Sequence, residues 1–62
     1  MCEAAAYLLK DGKEELVFES VDILESHGKG LKIINIFGEE LELRAKVKAL
    51  SLVDHKIVLE PL

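Results

Sequence analysis

Few residues in this chain could do chemistry, and the cysteine at position 2 leads them. It is the only cysteine, so it forms no intramolecular disulfide. Its place next to Met1 gives the thiolate nitrogen donors for company. With Met1 removed, the α-amine and the Cys2 thiolate close a small chelate ring around a metal ion. With Met1 retained, its amine, the Cys2 amide nitrogen and the thiolate form two fused rings. Nitrogen and thiolate donors suit soft or borderline metals, and a planar set suits Ni(II) or Cu(II). One chain end has too few donors for a complete planar site. A two-fold dimer pairing two Cys2 residues would supply the rest. The plainer alternative is an incidental thiol near a chain end.

The other candidates are weaker. His27 and His55 each sit in a predicted turn beside Gly or Asp, and neither stands in a Cys/His spacing typical of zinc sites. Asp22 with Glu25, and Glu39-Glu40 with Glu42, form acidic clusters that read as solvated strand faces. The glycines of His27-Gly28-Lys29-Gly30 fall in a hairpin turn with no helix after them, so they make no phosphate loop. Neither histidine is near Cys2 in sequence to act as its base, and Ser20, Ser26 and Ser51 belong to no nucleophile motif. Catalysis is not expected.

The elements that position these residues are short strands. Asp11-Gly12 is a strong hairpin signal; His27–Gly30, Phe37-Gly38-Glu39 and Asp54-His55 mark further turns. The segments between them are aliphatic and β-branched, as in a sandwich or small barrel. The predicted strands are Glu3–Lys10, Glu14–Glu19, Val21–Ser26, Leu31–Phe37, Glu40–Leu43, Ala45–Val53 and Lys56–Glu60. Glu40–Leu43 alternates polar and apolar, as a half-buried strand does. The alternation runs on through Ala49 and slips at Ala49-Leu50. A bulge there would turn Leu50 and Leu52 inward in place of Val47 and Ala49. Leu31–Phe37 is apolar on both parities: Leu31, Ile33 and Phe37 on one, Ile34 and Ile36 on the other. It is a central strand or has one face on a second subunit. The expected fold is all-β: one domain over 1–62, a small barrel of six or seven short antiparallel strands.

Composition narrows the function classes. A chain of 62 residues is marginal as an isolated domain, and a metal or a second copy is the usual support for one lacking disulfides. The net charge of −4 speaks against nucleic acid, whose binding needs a basic face. The three aromatics, Tyr7, Phe18 and Phe37, offer little for base stacking. Lys46, Lys48 and Arg44 on one strand are the only suggestion of a basic patch. No apolar run is long enough to span a membrane and no secretory signal is evident, so the expected compartment is the cytoplasm, where a free thiol survives.

Met1-Cys2-Glu3-Ala4, the Lys10-Asp11-Gly12 turn, Val21-Asp22, Gly38-Glu39 and the closing His55–Glu60 run resemble the CooT family of small nickel-binding proteins over essentially the whole chain. Relatives have also been labelled RNA-binding. The resemblance implies a β-barrel subunit similar to SH3 or Sm folds that forms a homodimer. It also implies that Cys2 binds Ni(II) near the dimer two-fold, and that the client is a nickel enzyme such as carbon monoxide dehydrogenase. The alternative is a small Sm-like RNA-binding or structural β-module.

Overall fold

The structure, a computed structural model, describes residues 4–62; the side chain of His27 is outside that description. Its elements are β1 (Ala4–Lys10), β2 (Lys13–His27), β3 (Gly30–Asn35), β4 (Glu40–Leu43), β5 (Ala45–Ser51) and β6 (Lys56–Pro61). They form one curled sheet in the order β4-β3-β2-β1-β6-β5. The fold is all-β and barrel-like, as the strand pattern predicts.

Two expectations about the strands need correction. The segments Glu14–Glu19 and Val21–Ser26 are halves of one long strand, β2. Its first half pairs with β1 and its second with β3. Between them Ser20 takes a positive φ of 56°, and register shifts flank it on both partners. Such irregularities bend a strand and increase its twist, so β2 serves two sheet halves. Nor is the sheet wholly antiparallel. β1 and β6 run parallel, Ala6 beside Ile57 and Leu8 beside Leu59. Turn signals reveal neighbours joined by short loops, whereas this pair comes from opposite ends of the sequence.

The core is aliphatic: Ala6, Val21, Leu31, Ile33, Ala45, Ile57 and Leu59 are buried. They come from five strands, and Val17, Phe18, Leu24 and Leu43 pack against them. β4 passes to β5 through Arg44 alone, so the same stretch of chain pairs with β3 and then with β6. At that corner a Cβ on Gly30 would stand 2.6 Å from the Leu43 carbonyl oxygen, which explains a glycine at the start of β3.

Ala45–Val53, which ends as a strand at Ser51, does carry a bulge, but between Val47 and Ala49 rather than at the expected Ala49-Leu50. Its consequence differs from expectation. Leu50 does lie opposite the buried Ile57, but it is 59% exposed, and Leu52 belongs to the following turn. β5 is the last strand of the sheet, and the described residues leave Leu50 largely uncovered. Leu31–Phe37 also ends early. β3 is interior and stops at Asn35, which is buried, while Phe37 lies in the next turn and is 74% exposed.

Candidate functional site

The site suggested by the sequence centres on Cys2, which falls outside the described residues. What is described is the strand it leads into. β1 has a partner on each side, β2 and β6. At its first residues Ala4 is opposite Val21, and Ala5 is opposite Lys56. The Ala5 N–H donates to the carbonyl of His55 at 2.9 Å. The chain therefore enters the sheet between two strands, at a place set by backbone hydrogen bonds.

On the β6 side stands the turn of residues 52–55. Ser51 organises it: its Oγ accepts from the Asp54 N–H at 3.2 Å and lies 3.2 Å from Asp54 Oδ2. His55 takes a φ of 53°, an uncommon conformation for a non-glycine residue. Its carbonyl is the acceptor that holds Ala5. Leu52 and Val53, 77% and 88% exposed, form the tip.

On the β2 side lies an arrangement that the sequence reading missed. Asn35 is 5% exposed, and its Oδ1 accepts from the N–H groups of Phe37 at 3.0 Å and Glu39 at 2.9 Å. Its Nδ2 donates to Glu39 Oε1 at 2.6 Å. The Ile36 N–H donates to the Ser20 carbonyl at 2.9 Å, tying the 36–39 turn to the bend of β2. The signal was present: Asn35 is the one polar residue on the buried parity of an otherwise aliphatic run.

His27 and His55 are not brought together. His27 pairs with Gly30 at the β2–β3 turn, whereas His55 is exposed in the β5–β6 turn. Among the described residues no group of three or more His, Cys, Asp or Glu could hold a metal. Of the two acidic clusters, Glu40 alone forms an ion pair among the described residues, and two further lysines pair with Glu60 and Glu14. Lys32 Nζ is 3.2 Å from Glu40, Lys46 Nζ is 3.2 Å from Glu60, and Lys56 pairs with Glu14. The Lys56 ammonium also sits 5.1 Å from the centre of the Tyr7 ring. Hydrogen bonds donated to the Glu40 and Glu14 carboxylates hold the Lys32 and Lys56 pKa values above the ordinary one. The proposed basic patch is thus partly neutralised, since Lys46 is taken up by Glu60. No helix among the described residues is long and apolar enough to cross a membrane.

No curated protein matches the chain significantly. Among solved structures, a crystal structure assigned to CooT of Carboxydothermus hydrogenoformans is similar at 48% identity and a TM-score of 0.91. The match covers 98% of each chain. A family profile described as CO dehydrogenase accessory protein CooT matches residues 1–60, from Met1-Cys2 to the last strand. A full-length profile match and a structural match of that identity point the same way: the chain belongs to the CooT family of CO dehydrogenase accessory proteins.

Proposed function

We propose that this protein is a nickel-binding, metallochaperone-like accessory protein. In this reading Ni(II) is its cargo, held by the Cys2 thiolate with terminal or backbone nitrogens at the interface of a homodimer. The observation that carries the proposal is the family match, which begins at Met1 and includes Cys2. An accessory protein of CO dehydrogenase would hand the metal to that enzyme in the cytoplasm, and would itself catalyse nothing.

The chemistry of the donors supports the reading. Thiolate and amine or amide nitrogen favour a planar Ni(II) centre over hard cations. The described residues offer no competing cluster, and a half-site at one chain end gains its remaining donors from a symmetry mate. Large apolar side chains left exposed, among them Leu50, Leu52 and Val53, are what a small barrel keeps for a partner.

The test is calorimetric titration of wild type, Cys2→Ala and Cys2→Ser with Ni(II), beside circular dichroism of all three. Wild type should bind one Ni(II) per dimer with a thiolate-to-metal charge-transfer band. Both variants should remain folded, because Cys2 precedes the first strand, and both should lose tight binding. Tight binding retained by a folded Cys2→Ala protein would refute the proposal.

A further inference from the structure

β2 changes partners at its bend, and the change leaves an edge open. From Val21 onward β2 pairs with β3, whereas from Lys13 to Phe18 its only paired neighbour among the described residues is β1. The side of that first half turned away from β1 has no strand beside it. Asp11 and Gly12 turn the β1–β2 hairpin, both at positive φ, so Lys10 and Lys13 form its closing bonded pair. Bonded and non-bonded pairs alternate from there, so Glu14 and Leu16 direct their N–H and C=O groups outward. Both precede the register shift that follows Leu16. Among the described residues no backbone partner meets them.

A groove of about 390 Å³ lies beside this edge, near the low end for a small-molecule site, about 300–1,000 Å³. Leu16, Val17, Phe18 and Glu19 line it from β2, and Phe37 and Glu39 line it from the 36–39 turn. Leu16 is 48% exposed and Phe37 is 74% exposed. The turn is held in place by Asn35 and by the bond from the Ile36 N–H to the Ser20 carbonyl. A wall fixed beforehand has little ordering entropy left to lose on contact. The rim is acidic. Glu15, Glu19 and Glu39 are exposed and form no ion pair among the described residues, and Lys13 is the one cation between Gly12 and Ser20.

We propose that the outer edge of β2, from Lys13 to Glu19, receives an extended segment of another protein, alternating apolar and basic residues, as an added strand. Main-chain bonds to Glu14 and Leu16 supply the pairing, and alternate side chains supply the selection. Apolar side chains of the guest cover Leu16 and Phe37, and basic ones meet Glu15 and Glu19. A second copy of this chain is the wrong guest. Adding this edge to itself sets Glu14, Glu15 and Glu19 of one chain against the same three of the other, with one lysine from each in compensation, and each chain carries a net charge of −4. Like charges across such a pairing oppose it. The proposal needs neither Cys2 nor a metal, so it stands or falls apart from the nickel reading.

The probe is an end-capped peptide of about eight residues alternating valine and lysine, titrated into the nitrogen-15-labelled protein. Amide signals of residues 14–19 and 36–39 should shift and saturate with a dissociation constant below about 1 mM. The same peptide methylated at its central backbone nitrogens cannot pair with an edge and should bind at least about tenfold more weakly. This comparison needs no variant to fold. Glu15→Lys/Glu19→Lys, both exposed positions, should keep the circular dichroism spectrum and also bind at least about tenfold more weakly. Equal affinity of the methylated peptide would overturn strand addition. Equal affinity of the folded double variant would overturn selection by charge. Shifts elsewhere, or none up to about 1 mM, would overturn the site. Protection of amides 14–19 that rises with protein concentration alone would give the edge to a second copy and overturn the proposal.

Discussion

Replacing Asn35 by Ala should unfold this protein more readily than any substitution at a similarly small core residue. The Asn35 Oδ1 satisfies two backbone donors, the N–H groups of Phe37 and Glu39. Alanine removes the one acceptor that both donors share. A net hydrogen bond contributes about 1 kcal/mol, and a donor left without a partner costs about 1–3 kcal/mol. The bond from Nδ2 to Glu39 adds little, because Glu39 is exposed and water replaces the amide. The sum is a loss of about 2–3 kcal/mol. For a chain of 62 residues the whole stability is about 3–9 kcal/mol, so a large share disappears. The assay is urea unfolding followed by circular dichroism, with protein concentration fixed because dimerisation would shift the midpoint. With a slope near 1 kcal/mol per molar, the midpoint should fall by about 2 M. Asn35→Asp keeps the acceptor but turns the amide donor into a second carboxylate oxygen facing Glu39, and should also destabilise at neutral pH. A midpoint within about 0.5 M of wild type for Asn35→Ala would show that the 36–39 turn is held by its backbone bonds alone.

Three further outcomes are expected. Gly30→Ala should cost about 1–3 kcal/mol by the same assay, because its Cβ meets the Leu43 backbone oxygen and backbone cannot give way cheaply. Gly12→Ala meets nothing and should cost about 1 kcal/mol, through its positive φ alone. The raised Lys56 pKa has a sign to check: its contribution is present below the unfolded value of 10.5 and lost as pH rises through the folded value. Thermal midpoints should therefore be level from about pH 7 to 9 and fall in stronger alkali, less steeply in Glu14→Gln; an equal fall in both would refute the pairing. Finally, Ni(II) affinity should drop at least tenfold per pH unit below about pH 7, because thiol and amine must both lose protons. A flat profile from pH 8 to 6 would point to carboxylates.

The sequence disclosed what periodicity and turn chemistry encode. Glu40–Leu43 and the turns at Asp11-Gly12 and Phe37–Glu39 emerged where they were read. The segments Glu14–Glu19 and Val21–Ser26 were legible as strand, but their continuity was not: a bend at a positive-φ serine looks in sequence like a loop. The parallel β1–β6 pair was illegible for another reason, because contacts between distant segments leave no local pattern. Leu50 and Leu52 show the limit of the hydrophobic rule. An apolar residue was taken to face its own core, yet β5 lies at the sheet edge and the following turn projects beyond it. Asn35 shows the converse, a polar residue buried because it replaces backbone partners in a tight turn. For the candidate site, Cys2 was read from the chemistry of the donors at a chain end, which no packing rule reveals. The braced turn beside the strand it leads into became visible only with the sheet topology.

That topology bears on how so small a protein could hold a metal at all. Residues near a chain end commonly fray, and a donor on a loose tether would have to be ordered at each binding event. Here the parallel pairing of β1 with β6 seats Ala5 against Lys56 and engages the His55 carbonyl, while Ala4 is held opposite Val21. Cys2 is two residues along the chain from a strand held on both sides, and the shorter such a link, the higher the effective concentration of one thiolate at the other. A barrel without a deep cleft would thus create its site by joining two fixed half-sites, with the aliphatic core only supporting them. Shortening the chain ahead of β1 by one residue should therefore weaken Ni(II) binding, although it removes none of the proposed donors. Deleting Glu3, with the oligomer checked by sedimentation, tests this: unchanged affinity in a dimeric deletion variant would mean that the tether is slack and that anchoring β1 on both sides plays no part in assembling the site.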